Sequence, residues 1–137
     1  MGRSSLNLLI PARFLLTVGH LVSVLTMVHT RKENLSSAVS ADPKDAQKEF
    51  MMAYAICLVC FAVDVLGILM GTSLFFPKAN LLQIICHFVG SCFITSMITQ
   101  SWQYQYIWFS IATCNIPCAL CEVSILIGTF ALKVVVF

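Results

Sequence analysis

Four long apolar runs dominate the chain, roughly Leu8 to Val28, Phe50 to Gly71, Leu81 to Gln100 and Tyr106 to Leu132. A helix rises about 1.5 Å per residue and needs roughly 20 residues to cross about 30 Å of hydrocarbon. Each run is near that length. The fold class they predict is all-α, an integral membrane four-helix transmembrane bundle forming one domain over residues 1–137. Ser, Thr and His interrupt the third run, which makes it the most polar. The fourth is long enough to tilt or to begin outside the hydrocarbon. Pro117 is the residue placed to break a helix centrally.

The connections are short except for residues 29–49, the polar loop. It carries Arg31, Lys32, Lys44 and Lys48 against Glu33, Asp42, Asp45 and Glu49. Asp42-Pro43 reads as a turn, or as the start of a short helix into the second span. Pro77-Lys78-Ala79-Asn80 reads as a tight turn. Trp102, Tyr104, Tyr106 and Trp108 read as an interfacial aromatic belt. The first run follows Arg3, as a signal peptide would. It also contains Arg13, is too long, and lacks a small-residue cleavage site, so it is expected to be a retained span. Four spans put both termini on one side. That side holds Arg3, Arg13, Lys78 and Lys133, and the other holds Arg31, Lys32, Lys44 and Lys48, a four-to-four tie that fixes no orientation. The sequon Asn34-Leu35-Ser36 fits a lumenal loop.

Composition explains why lipid is the solvent. Apolar residues make up 59% of the chain and charged residues only 10%, against about 25% in soluble domains. Too few polar residues remain to cover a surface in water. The net charge of +2 and the lack of a basic block imply no nucleic-acid partner. All seven cysteines fall in apolar runs, where they serve as small buried hydrophobes and not as a disulfide framework.

Each span carries one ionisable side chain well inside it: His20, Asp64, His87 and Glu122. Arg13 adds a fifth, nearer an end. A charge at the centre of a membrane helix costs about 2.5–3.5 kcal/mol on insertion scales, so these groups must face inward and find partners. Counting residues from each face places Arg13, Asp64, His87 and Glu122 at similar depth, with His20 deeper. Arg13 is therefore expected to pair with Asp64 or with Glu122, with His87 nearby. A structural or assembly cluster that fixes helix register accounts for such a layer. The sharper alternative is a small proton- or cation-coupled transporter using intramembrane Asp64 and Glu122. No internal repeat supports it. Cys57-Leu-Val-Cys60 and Cys118-Ala-Leu-Cys121 are both CxxC, which opens a second alternative, a membrane thiol oxidoreductase. Their place within spans argues for packing instead. Gly67 and Gly71 form a GxxxG, a candidate helix-packing contact. No catalytic residue, metal, cofactor or small-molecule substrate is expected.

The order of these residues resembles a known family. Pro11-Ala12-Arg13-Phe14-Leu15 is followed by His20-Leu21-Val22, and Phe61-Ala62-Val63-Asp64 by Gly67 and Gly71-Thr72-Ser73-Leu74-Phe75. His87, Trp102, Trp108, Pro117, Glu122 and Gly128-Thr129-Phe130-Ala131-Leu132-Lys133 then come in turn. Together with the opening Met1-Gly2-Arg3 they resemble the ciliary transition-zone tetraspan family called transmembrane protein 107. Members of that family carry Glu where this chain has Asp64. The resemblance implies a non-enzymatic subunit with cytosolic termini, in the membrane at the base of the cilium. Its implied partners are the lipid bilayer and other transition-zone proteins: tectonic-type, B9-domain and Meckel-syndrome complex proteins. The implied role is to help assemble the gate that controls ciliary membrane protein composition, and so to support ciliogenesis and ciliary signalling.

Overall fold

A computed structural model describes residues 3–38 and 42–131, with side chains described from Leu8 onward. Lys133 and the side chain of Arg3 lie outside the described residues. The elements are α1 (Arg3–Met27), α2 (Arg31–Ser36), α3 (Pro43–Met70), α4 (Pro77–Thr99) and α5 (Tyr106–Ala131). Four of them, Leu8–Met27 within α1, α3, α4 and α5, are long and apolar enough to cross a membrane.

One helix start follows the Asp42-Pro43 reading, and the other corrects a turn. α3 begins at Pro43, not Phe50, because Asp42 caps it by accepting from the Lys44 N–H at 2.9 Å. Pro43 fits the first turn, where its missing N–H costs nothing, and Asp45 complements the positive helix end. Pro77 likewise occupies the first turn of α4, so Pro77–Asn80 is the first helical turn and not a tight turn. The chain reverses earlier, over a 3₁₀ turn at Ser73–Phe75. Pro117 does not break α5. A π-helical turn over Ile111–Asn115 precedes it and absorbs the lost hydrogen bond. The polar segment shrinks accordingly, with α2 at one end and the first two turns of α3 at the other.

α1 packs most extensively on α4, and α3 packs on α5 and α1. Ser23 meets Ser91 and Thr95 at 3.4 Å along the α1–α4 seam, where small residues let the backbones approach. The bundle is apolar outside and, toward the α3–α4 turn, polar inside. Leu15, Val59, Leu69, Phe88 and Leu120 face outward, while Arg13, Asp64, Gln83, His87 and Glu122 are buried. An apolar core of Val24, Met27, Phe50, Phe61, Ile94, Met97 and Ile107 fills the half of the bundle next to the α1–α3 connection.

That end is closed by hydrogen bonds. Asn34 on α2 is fully buried, and its Nδ2 donates to the carbonyls of Met97 at 3.0 Å and Trp102 at 2.7 Å. Its own carbonyl accepts from the Tyr104 N–H at 3.3 Å. The sequon amide is thus bonded inside the fold. Glu49 accepts from the Tyr104 hydroxyl at 2.8 Å and the Trp108 indole at 3.1 Å. Tyr104 is therefore a buried tie to α3 and no part of an aromatic belt, whereas Tyr106 is exposed. The Glu49 hydrogen bond, then burial, holds the Tyr104 hydroxyl above the usual tyrosine range. Replacing Asn34 by alanine leaves the Trp102 carbonyl without its donor and the Met97 carbonyl with only the Trp102 N–H at 3.2 Å, and is expected to cost about 1–2 kcal/mol. Equilibrium unfolding in mixed micelles measures this, and an unchanged midpoint would remove α2 from the structural account.

Candidate functional site: a polar network inside the bundle

Helical spacing builds the site. Arg13, Thr17 and His20 lie at i, i+4 and i+7 on α1, and Asn80, Gln83, His87 and Gly90 share one face of α4. Asp64 and Gly67 face inward from α3, and Cys118 and Glu122 from α5. The result is two adjoining groups of polar side chains.

The first is centred on Arg13. Its Nη2 pairs with Glu122 Oε1 in a fully buried ion pair. Its Nη1 donates to Asn80 Oδ1 at 2.7 Å and to Ser73 Oγ at 2.9 Å. Gln83 Nε2 donates to the same Glu122 oxygen at 2.7 Å. Asn80 Nδ2 donates to the Leu74 carbonyl at 2.9 Å, and Ser73 Oγ to the Gly67 carbonyl at 3.3 Å. The planar guanidinium thereby ties α1, the α3–α4 turn, α4 and α5 together. Gly67 makes the arrangement possible, because a Cβ there would overlap the Glu122 carboxylate.

The second group lies further from the chain termini. His20 Nδ1 and His87 Nδ1 are 3.2 Å apart, and His87 Nε2 faces Asp64 Oδ2 at 3.6 Å. Phe61 stacks on His87 with ring centroids 5.7 Å apart and meets His20 edge-on at 4.9 Å. Gly90 leaves the space that the His20 ring occupies. Asp64, His87 and Cys118 each offer a ligand atom, all within 4.8 Å of one another.

Sequence depth left Asp64 and Glu122 as equal partners for Arg13. The structure gives Arg13 to Glu122 and sets Asp64 against His87. His20, one layer deeper by residue count, still joins His87. Gly71 departs from the GxxxG reading. It ends α3 in the left-handed conformation at φ 72°, and among the described residues nothing lies within 4 Å of a Cβ built there. The cysteines are free, and none of the described pairs forms a disulfide. Sequence reasoning missed Ser73, Asn80, Gln83 and Thr17. The signal for the two amides was present: Asn80, Gln83 and His87 recur at helical spacing.

Residues 9–126 match the TMEM107 family of transmembrane proteins. The chain is 32% identical to transmembrane protein 107 of Rattus norvegicus over 138 aligned positions, covering 97% of each chain. It is 30% identical to that of Homo sapiens with the same coverage. It is 26% identical to that of Danio rerio, over 91% of this chain and 96% of the relative. No solved structure matches the chain.

Proposed function

Because the chain belongs to the transmembrane protein 107 family, we propose that it is a non-catalytic membrane subunit of the ciliary transition zone, of the Meckel-syndrome type of complex. In this reading it helps assemble the gate that controls ciliary membrane protein composition, and so supports ciliogenesis and ciliary signalling. Its partners are tectonic-type, B9-domain and other transition-zone membrane proteins, and both termini face the cytosol. The family match over residues 9–126 carries the proposal.

The site geometry supports a structural role for the polar layer. Each Arg13 donor named above is bonded to an acceptor of the same chain, and the Glu122 oxygen that takes Arg13 also takes Gln83. Groups committed in this way set helix register. The outer surface stays apolar, with Phe14, Leu66, Phe109 and Phe130 exposed to lipid or to a neighbouring helix. Assembly in a membrane proceeds by such close packing and needs no reaction.

A tagged copy expressed in ciliated cells is expected to form a ring at the ciliary base. Uniform plasma-membrane or endoplasmic-reticulum signal would overturn the placement. Reconstitution into liposomes tests the non-transport role: proton- or cation-coupled flux that disappears in Asp64→Asn would overturn it.

A further inference from the structure

We propose that Asp64, His87 and Cys118 form a site for one borderline-soft divalent cation of the zinc class, clamped between α3, α4 and α5. The inference goes beyond the assembly role and stands on four observations.

The first is the donor set. One carboxylate oxygen, one imidazole nitrogen and one thiol sulfur, from three different helices, converge within 4.8 Å, and all three residues are buried. Oxygen, nitrogen and sulfur together suit zinc. Calcium and magnesium want oxygen shells.

The second is spacing. His87 Nε2 and Asp64 Oδ2 stand 3.6 Å apart. A charge-assisted N–H···O bond would draw them to about 2.7–2.9 Å. Two ligands of one tetrahedral zinc ion, with bonds of about 2.0–2.3 Å, sit about 3.3–3.6 Å apart.

The third is orientation. His87 Nδ1 is within hydrogen-bond reach of His20 Nδ1 at 3.2 Å. When His87 donates there, its Nε2 presents a lone pair toward the carboxylate, and a cation between them removes the repulsion. Metal-ligating histidines are commonly oriented through their other ring nitrogen in this way. His20 is then a positioning residue and not a ligand.

The fourth is charge. Arg13 is committed to Glu122, which leaves Asp64 as a second carboxylate in the hydrocarbon region. Its Oδ1 is buried without a hydrogen-bond partner among the described residues. A divalent ion bound by one carboxylate, one thiolate and a neutral imidazole is electrically neutral as a unit. The cost of an isolated charge in the bilayer is thereby removed. Binding releases the Cys118 thiol proton to solvent, so uptake is expected to weaken as pH falls.

The test uses the full chain, purified in detergent on a non-metal affinity tag and moved into nanodiscs. Zinc is measured by elemental mass spectrometry, and cobalt is then titrated into chelator-treated protein. The expected result is one ion per chain. Cobalt should give tetrahedral visible bands and a sulfur-to-cobalt charge-transfer band in the near ultraviolet. Cys118→Ser and Asp64→Asn are each expected to lose that band, whereas Cys92→Ser, at an exposed thiol on α4, keeps it. X-ray absorption at the zinc edge of the wild-type chain gives a readout free of folding defects, with at least one sulfur expected in a shell otherwise of nitrogen and oxygen. A wild-type chain that takes up neither ion, a band that survives Cys118→Ser, or a zinc shell without sulfur would each overturn the site.

Discussion

Arg13→Met is expected to destabilise the bundle by about 3–5 kcal/mol, the usual cost of removing one partner from a buried ion pair. Methionine matches the length of the arginine stem and fills much of its space, so the loss is electrostatic more than steric. Glu122 would keep one donor, Gln83, at 2.7 Å, but no cation. Asn80 Oδ1 and Ser73 Oγ would lose their donor as well. Arg13→Lys keeps the charge and loses the fork that reaches Asn80, Ser73 and Glu122 at once, so it should fall between. The double variant Arg13→Met with Glu122→Leu removes both charges and is expected to recover most of the loss. Denaturant titration of the purified chain in mixed micelles reads all of these. A double variant no better than Arg13→Met would mean that the ion pair is not the source of the effect.

The same network shows where sequence reading reaches and where it stops. The four spans were legible because a run of apolar residues near membrane length has few other uses. The ionisable layer was legible too, since an ionisable side chain in each of four spans must turn inward. Depth follows from rise per residue, but partner choice depends on the rotation of each helix about its axis. Asp64 and Glu122 share a depth and differ in azimuth, so Arg13 could not be assigned from residue counts. Asn80 was hidden for another reason. Starting the third span at Leu81 placed Asn80 in a turn, although Pro77 begins the helix and sets Asn80, Gln83 and His87 on one face. α2 has no apolar run to announce it. Its reason to exist is the buried Asn34, whose partners lie more than sixty residues away in the chain. Gly71 looked like Gly67's companion on a helix face because the spacing was right. The helix ends there instead, and the glycine serves the left-handed turn.

Gly67 is where that distinction becomes measurable. In most membrane helices Gly→Ala raises helix propensity by up to about 1 kcal/mol. At Gly67 the added methyl would occupy the space of the Glu122 carboxylate. A free carboxylate would rotate away at little cost. This one is fixed by Arg13 and Gln83, so it can yield only by breaking those bonds or by pushing α5 off α3. Gly67→Ala is therefore expected to destabilise by about 1–3 kcal/mol despite its better propensity, with Gly67→Leu at or beyond the upper end. The sign alone is informative, since a neutral or stabilising alanine would show that the carboxylate moves freely. Glu122→Asp shortens the acid by one methylene and withdraws it from the methyl. Combined with Gly67→Ala it should lose less than the two single changes added together, by a coupling of about 0.5–3 kcal/mol. Gly71→Ala gives the contrasting mechanism. Space is open there, but φ is 72°, so its cost comes from backbone strain and should add to Glu122→Asp without coupling. Coupling at Gly67 and additivity at Gly71 would separate helix contact from helix termination within one GxxxG, and coupling at neither would remove the Gly67–Glu122 contact from the account of how α3 meets α5.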